Sequence, residues 1–246
     1  MKNNTRKGKK HRWLTAAAIL LFLAGLAVLL YPICTDLLYK KEVQQQKIQF
    51  TQQIEEATEK MPKEAGAAFP FEELYQELQR RNEALFAEKQ KELKDPFSYQ
   101  QPGIDLTEYG LEGNIIGFVS IPKMEVELPI LLGANTENMR EGAVHLTETS
   151  YPIGGKNTNC VLAAHRGASR TAMFRDIEKL EIGDEIYIQN FREALTYRVS
   201  ELEIISPTDV QELLIQKGRD LVTLITCHPY RHNYQRYVVY CERVEA

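Results

Sequence analysis

A mainly β domain closed, or nearly closed, into a barrel is predicted for the C-terminal part of this 246-residue chain, carried on helices at its N-terminal side. Two observations predict the barrel. From Asn114 onward, short runs rich in β-branched and aromatic residues follow one another, and no regular helical pattern intervenes. Turn formers punctuate them, as at Gly183-Asp184 and Gly218-Arg219-Asp220. A third observation, an uncharged apolar stretch near the N-terminus, predicts a membrane anchor ahead of the domain.

In order along the chain, residues 1–12 form a basic tail. Lys2, Arg6, Lys7, Lys9, Lys10 and Arg12 are six of the 30 Lys and Arg residues, while the 34 Asp and Glu residues all lie further on. The remainder is therefore acidic, with no basic patch to suggest nucleic acid. From Trp13 to Leu30 no residue is charged, and apolar residues continue to Ile33. As a helix this run crosses a hydrocarbon core of roughly 30 Å. A cleaved signal peptide shares the basic flank, but the run is longer than the usual apolar core of a signal. It also ends in Tyr31-Pro32-Ile33-Cys34 rather than in a small-x-small site. A retained single-pass anchor over 13–33 is expected, with the basic tail in the cytoplasm and everything after residue 33 outside.

Residues 34–94 are rich in Glu, Gln, Lys and Leu, with Val43, Ile48, Ile54 and then Leu74, Leu78, Leu85 and Phe86 at about helical spacing. Two helices are expected, parted near Gly66-Ala67-Ala68-Phe69-Pro70, because the residue before a proline resists helix. Coiled-coil oligomerisation has only weak support, because the apolar repeat is not sustained. Asp95-Pro96-Phe97 then opens a stretch to Gly113 that reads, taken alone, as a loop. From residue 114 to 246 the strand runs are Ile115–Ile121, Leu128–Leu132, Cys160–Ala164, Ile186–Ile188, Leu195–Val199, Val222–Thr226 and Tyr237–Cys241.

Chemistry concentrates at the end of one of these runs. Cys227 follows Leu221-Val222-Thr223-Leu224-Ile225-Thr226, Arg236 stands nine residues on, and His165 follows Val161-Leu162-Ala163-Ala164. A thiol needs a base or a nearby cation to act as a nucleophile at neutral pH. His165, where a strand gives way to a loop, suits a general acid for a leaving amine, and Arg236 suits a carbonyl or oxyanion. Spacing alone leaves a buried Cys, a hydrogen-bonded loop His and a surface Arg equally open. Cys160 and Cys241, inside apolar runs, read as inert buried thiols. No spacing matches a structural zinc site, and neither metal nor cofactor is expected.

Thr223-Leu224-Ile225-Thr226-Cys227, with Pro229-Tyr230 after it and Arg236 beyond, resembles the signature of the sortases, cysteine transpeptidases of Gram-positive cell surfaces. Ala163-Ala164-His165-Arg166-Gly167 is similar to that family's histidine segment, with Gly154-Gly155 before it. The resemblance runs from about Asn114 to the C-terminus and implies an eight-stranded sortase β-barrel, with Cys227, His165 and Arg236 as catalytic residues. Asp95-Pro96-Phe97 looks like the lid of class C, pilus-assembling sortases, in which the acid pairs with the arginine and the ring covers the thiol. It makes 95–113 a lid loop. The implied substrate is a protein with an LPxTG-like sorting signal, most readily a pilin, cut between Thr and Gly and passed to an amine. That amine is a pilin lysine or a cell-wall cross-bridge, the latter as in housekeeping anchoring. A membrane-tethered barrel with a dead site is the reading from another class.

Two departures stand out. Many pilus sortases carry a second, C-terminal membrane helix, which the residues up to Ala246 do not supply. His228 follows the cysteine where relatives often have Thr, with His232 close by, so a second imidazole competes for the part of base. Neighbours along a strand point to opposite faces, which favours His165. His145, in Gly142-Ala143-Val144-His145-Leu146, reads as structural.

Overall fold

The computed structural model describes residues 4–61, 69–90, 93, 101–167 and 171–244, and the fold is built from these. Helix α1 runs without interruption over Asn4–Glu59 and α2 over Glu72–Glu88. The strands are β1 Ile115–Ile121, β2 Val126–Leu132, β3 Ala143–His145, β4 Thr158–Ala163, β5 Glu185–Asn190, β6 Ala194–Ile205, β7 Asp220–His228 and β8 Gln235–Arg243, with a one-turn helix α3, Asn138–Glu141, before β3. Among the described residues these eight strands close into a barrel in the order β1-β2-β3-β4-β7-β8-β6-β5. Most neighbours are antiparallel, but β2 with β3 and β4 with β7 run parallel.

The strand runs read from sequence are all present, and several are longer than the apolar stretch at their centre. β6 extends to Ile205 and β8 from Gln235 to Arg243 because polar residues at their ends still pair in the ladder with one face in solvent. β3 was not among the expected runs; three wholly buried residues leave no alternation to read. The apolar stretch and the following helical region form one helix, with Pro32 inside it, because strong helix formers continue on both sides of the proline. Trp13 onward contains a window long and apolar enough to cross a membrane, none of it buried by the rest of the protein.

One apolar cluster fills the barrel and continues beneath the helices. Leu162, Val222, Leu224 and Val239 contribute to it from the strands, Val43 and Phe50 from α1, and Leu74 and Leu78 from α2. Phe50 meets Phe118 of β1 edge-on, with ring centroids 5.6 Å apart. Polar contacts fix α1 further: Tyr39 Oη donates to Glu141 O at 2.6 Å, and Lys47 pairs with Glu127 of β2 at 2.5 Å. Gly117 is required by packing, since a Cβ there would stand 2.5 Å from Gln189 O of β5. A second cluster covers the outer face of β3, β4, β7 and β8. Val144, Val161, Ala163, Ile225, Val238 and Tyr240 form its floor, and Met139 and Leu213 lie over it.

His145, at the end of β3, is buried, with Nε2 at 3.2 Å from Thr149 O and 3.1 Å from Ser150 O. Its ring stacks on Tyr151 at 4.8 Å. Only a protonated Nε2 can donate to those carbonyls, so the ring is a structural donor. Burial pushes its pKa from 6.5 down to about 4. The unfolded chain therefore takes up a proton below about pH 6.5 that the folded chain refuses. We expect the stability this contributes above pH 6.5 to be lost as the pH falls to 4, by about 3 kcal/mol. Denaturant unfolding of wild type and His145→Gln across that range checks it: the variant should show the shallower pH dependence.

Candidate active site

The parallel pairing of β4 with β7 sets the geometry. Its register runs from Thr158 opposite Asp220 to Ala163 opposite Ile225. Past the end of β4 the chain stays attached to β7, because Ala164 N donates to Ile225 O at 3.3 Å and Thr226 Oγ1 donates to Ala164 O at 2.7 Å. Continued two steps beyond the Ala163–Ile225 pair, the same register brings His165 level with Cys227. The antiparallel register of β7 with β8 sets Arg236 directly opposite Cys227. Opposed residues of such a pair share a face, with Cβ atoms about 5 Å apart. Three residues scattered over 72 positions of sequence thus meet at one end of three adjacent strands.

Side-chain alternation decides which face they occupy. Along β7, Val222 and Leu224 lie in the barrel core, while Ile225 belongs to the outer cluster, so Cys227 follows Ile225 outward. Along β8, Val239 is inward and Val238 outward, so Arg236 also faces out. On β4, Leu162 and Ala164 are inward and Ala163 outward, which turns His165 to the same side. His228 falls on the opposite face from Cys227. Its ring lies 5.7 Å from that of Tyr237, and its Nδ1 is 2.9 Å from Arg166 Nη1 and 3.2 Å from Glu178 Oε1. His232 lies in the exposed β7–β8 loop, its ring 5.6 Å from that of Tyr234.

The electrostatics differ from group to group. Arg236 is only 4 % exposed, and its Nη1 donates to Asn233 O at 2.8 Å and Gln235 O at 3.1 Å, which fixes the guanidinium beside the thiol. A held cation there favours a thiolate and any oxyanion formed next to it. Burial, and then the positive charge of Arg140 on α3, lower the pKa of His165 below its ordinary value. Cys160 and Cys241 are wholly buried, and desolvation drives their thiols far above the usual range. Cys34 is exposed on α1.

The far end of β7 is fixed as well. Asp220 accepts hydrogen bonds from Gly155 N (2.8 Å), Tyr197 Oη (3.0 Å) and Thr158 Oγ1 (3.2 Å). Gly154 adopts φ +68°, and a Cβ there would crowd both Asp220 and Tyr197. The Gly154-Gly155 pair thus anchors the strand that ends in Cys227. Sequence reading missed Asp220, taken only as part of a turn, and it also missed Arg140, Arg166 and Glu178. The one available signal was the paired placement of Arg166 after His165 and His228 after Cys227.

Asp95, Pro96 and Phe97 lie outside the described residues. The chain on either side of them belongs to this part of the molecule. Leu93 packs into the outer cluster, and Gln101 O accepts from Thr147 Oγ1 at 2.6 Å. Just before Leu93, Gln90 donates to Glu148 O at 2.9 Å and accepts from Ile215 N at 2.6 Å.

Comparison with known proteins agrees with this architecture. The sortase domain family model matches residues 119–244. Sortase A of Bacillus anthracis is 35% identical over 125 residues, covering 51% of this chain and 58% of that protein. Sortase D of Bacillus subtilis (strain 168) is 29% identical over 135 residues, covering 54% and 65%. The matches thus span less than two thirds of these curated relatives. Among solved structures, Streptococcus agalactiae sortase C1 in complex with MTSET superposes with a TM-score of 0.68 at 31% identity, covering 79% of this chain and 97% of that one. Streptococcus pneumoniae sortase C gives a TM-score of 0.61 at 30% identity, covering 79% and 96%. A barrel of this topology, matched by the family model over just over half of its length, makes this chain a member of the sortase family.

Proposed function

We propose that this chain is a membrane-anchored cysteine transpeptidase that cleaves an LPxTG-like sorting signal between Thr and Gly and joins the acyl group to an amine, a pilin lysine during pilus polymerisation. The Cys227 thiolate attacks the Thr carbonyl, Arg236 stabilises the developing oxyanion, and His165 gives its proton to the departing glycine amine. A thioester remains on Cys227. The acceptor amine, deprotonated as it attacks, expels the thiolate and forms the new amide. The observation that carries this reading is the convergence of Cys227, His165 and Arg236 on one face at the ends of β7, β4 and β8. Pilin as substrate is supported by the likeness to streptococcal sortase C structures, one of them a pilus-related sortase C of group B Streptococcus. The uncharged, unburied run of α1 supports anchoring, and the basic residues before it support a cytoplasmic N-terminus.

In the same reading Asp95-Pro96-Phe97 is a lid, with Asp95 paired to Arg236 and Phe97 over Cys227. The packing of Leu93, two residues before Asp95, into the outer cluster supports it. An ion pair of this kind is worth about 1 kcal/mol or less where solvent reaches it, so a substrate can displace it.

Cys227→Ala is expected to abolish cleavage of a sorting-signal peptide; residual turnover at wild-type rate would remove Cys227 from the role. Mass spectrometry of products made with a lysine-bearing pilin domain and with a cross-bridge peptide should show an amide to the pilin lysine. Preference for the cross-bridge would instead favour anchoring of surface proteins to the wall, and hydrolysis alone a protease. Asp95→Ala and Phe97→Ala should both speed labelling of Cys227 by a small thiol reagent, and unchanged labelling would remove the lid.

The lowered pKa of His165 has a definite sign. Its protonated form, needed as the acid, is lost as pH rises through a value below the ordinary 6.5. Removing the charge that contributes to this, in Arg140→Gln, should move that limb of the kcat/KM profile to higher pH. A limb that stays in place would separate Arg140 from the acid.

A further inference from the structure

Continued past its end at Ala163 and Ile225, the β4–β7 register brings His165 level with Cys227, and side chains cross-link the positions on either side. One step before them, Thr226 Oγ1 donates to Ala164 O at 2.7 Å. One step after them, Arg166 Nη1 donates to His228 Nδ1 at 2.9 Å. Both links join residues 62 apart in sequence, the same offset as every β4–β7 register pair. Thr226 and His228 share the face of β7 opposite to Cys227, so neither link obstructs the thiol.

Among the described residues, the second link lies beyond the backbone bond that ties the chain after β4 to β7. The Ala164 N to Ile225 O bond stands one step short of His165 and Cys227. Beyond it β7 continues in register with β8, while the chain after His165 bends back so that Phe174 N donates to His165 O at 3.1 Å. A side-chain link at this position holds the two strand ends together, and with them the spacing between thiol and imidazole.

Glu178, on the short 3-10 turn Ile177–Lys179, completes the group. Arg166 is only 6 % exposed, and its Nη2 donates to Glu178 Oε2 at 2.5 Å. A buried guanidinium requires such a carboxylate. Glu178 Oε1 also lies 3.2 Å from His228 Nδ1. Arginine can only donate, so Nδ1 accepts from Arg166 when it carries no proton, and only with a proton there could it donate to Glu178 Oε1; the clamp uses the first arrangement.

We propose that Arg166, Glu178 and His228 form a clamp that sets the distance between Cys227 and His165, with His228 serving as a hydrogen-bond acceptor and not as a proton carrier for the thiol. These are positioning residues, and the inference rests on the roles proposed above for Cys227 and His165. It also accounts for an imidazole directly after the cysteine that faces away from it.

The test compares His228→Asn and His228→Leu in the full chain, cleaving a fluorogenic LPxTG peptide. Asn presents Oδ1 near the position of Nδ1 and keeps the bond from Arg166, but it cannot relay a proton. Leu offers no acceptor. We expect kcat on the order of tenfold lower in His228→Leu with KM little changed, and most of it restored in His228→Asn. Thr226→Val, which removes the link on the preceding step with little change of shape, should also lower kcat. An equal, large loss in His228→Asn and His228→Leu would make His228 a proton carrier and overturn the clamp. Wild-type kcat in His228→Leu would overturn it too. If thermal unfolding shows that His228→Leu does not fold, the comparison passes to the other two: an active His228→Asn beside an impaired Thr226→Val supports the clamp, and the reverse order overturns it. Failure of the underlying reading shows separately, as cleavage by Cys227→Ala.

Discussion

Everything at the site depends on the parallel pairing of β4 with β7. Antiparallel neighbours are placed by a turn between them, so the opposition of Cys227 and Arg236 follows from a short hairpin. Parallel neighbours have no such local device, and the alignment of β4 with β7 rests on their ladder and on the contacts at its two ends. At one end Asp220 is held by Gly155, Thr158 and Tyr197. At the other, Thr226 reaches Ala164 and His228 meets Arg166. A slip of one residue would exchange the faces of the whole strand and turn Cys227 into the barrel.

The two faces of these strands have different work. Inward residues at the middle of the strands, Leu162, Val222, Leu224 and Val239 among them, contribute apolar burial, while the inward polar groups Asp220, Thr226 and His228 lie at the two ends of β7. The outer face has a dry floor of Val161, Ala163, Ile225 and Val238 that ends where Cys227, His165 and Arg236 begin. That boundary suits the proposed chemistry. An apolar floor strengthens each charge interaction at its edge, while the open strand ends leave a route for a peptide. The helices serve the same end. α1 and α2 pack against the barrel, and Gln90, just after α2, ties the chain leading to Leu93 to Glu148 and Ile215.

How far the sequence could be read follows from these distances. Ile115–Ile121 matches β1 residue for residue, because a run of buried apolar residues bounded by turns is a local signal. Cys227 and Arg236 were legible as a pair for a similar reason, lying nine apart across one hairpin. His165 was a candidate from its place at a strand end, but only a resemblance joined it to Cys227, because nothing local signals that a strand 62 residues away will lie beside it. β3 is too short to show a period, and Glu178 sits on a 3-10 turn between Ile177 and Lys179 with no pattern of its own. Side-chain direction was partly legible. Alternation alone separates His228 from Cys227, but the partner waiting on the far side was not visible.

The parallel ladder also governs when the site can come into being. Closing a contact over 62 residues costs more chain entropy than closing any of the hairpins, so β4 and β7 meet late relative to β1–β2, β5–β6 or β7–β8. Until they do, the thiol and its arginine are already neighbours, but the imidazole is elsewhere. A chain still folding, or one opened at that seam, therefore carries the thiol without the imidazole. The joining of β4 to β7, together with the still longer closure of β1 on β5, is therefore a precondition of the assembled site.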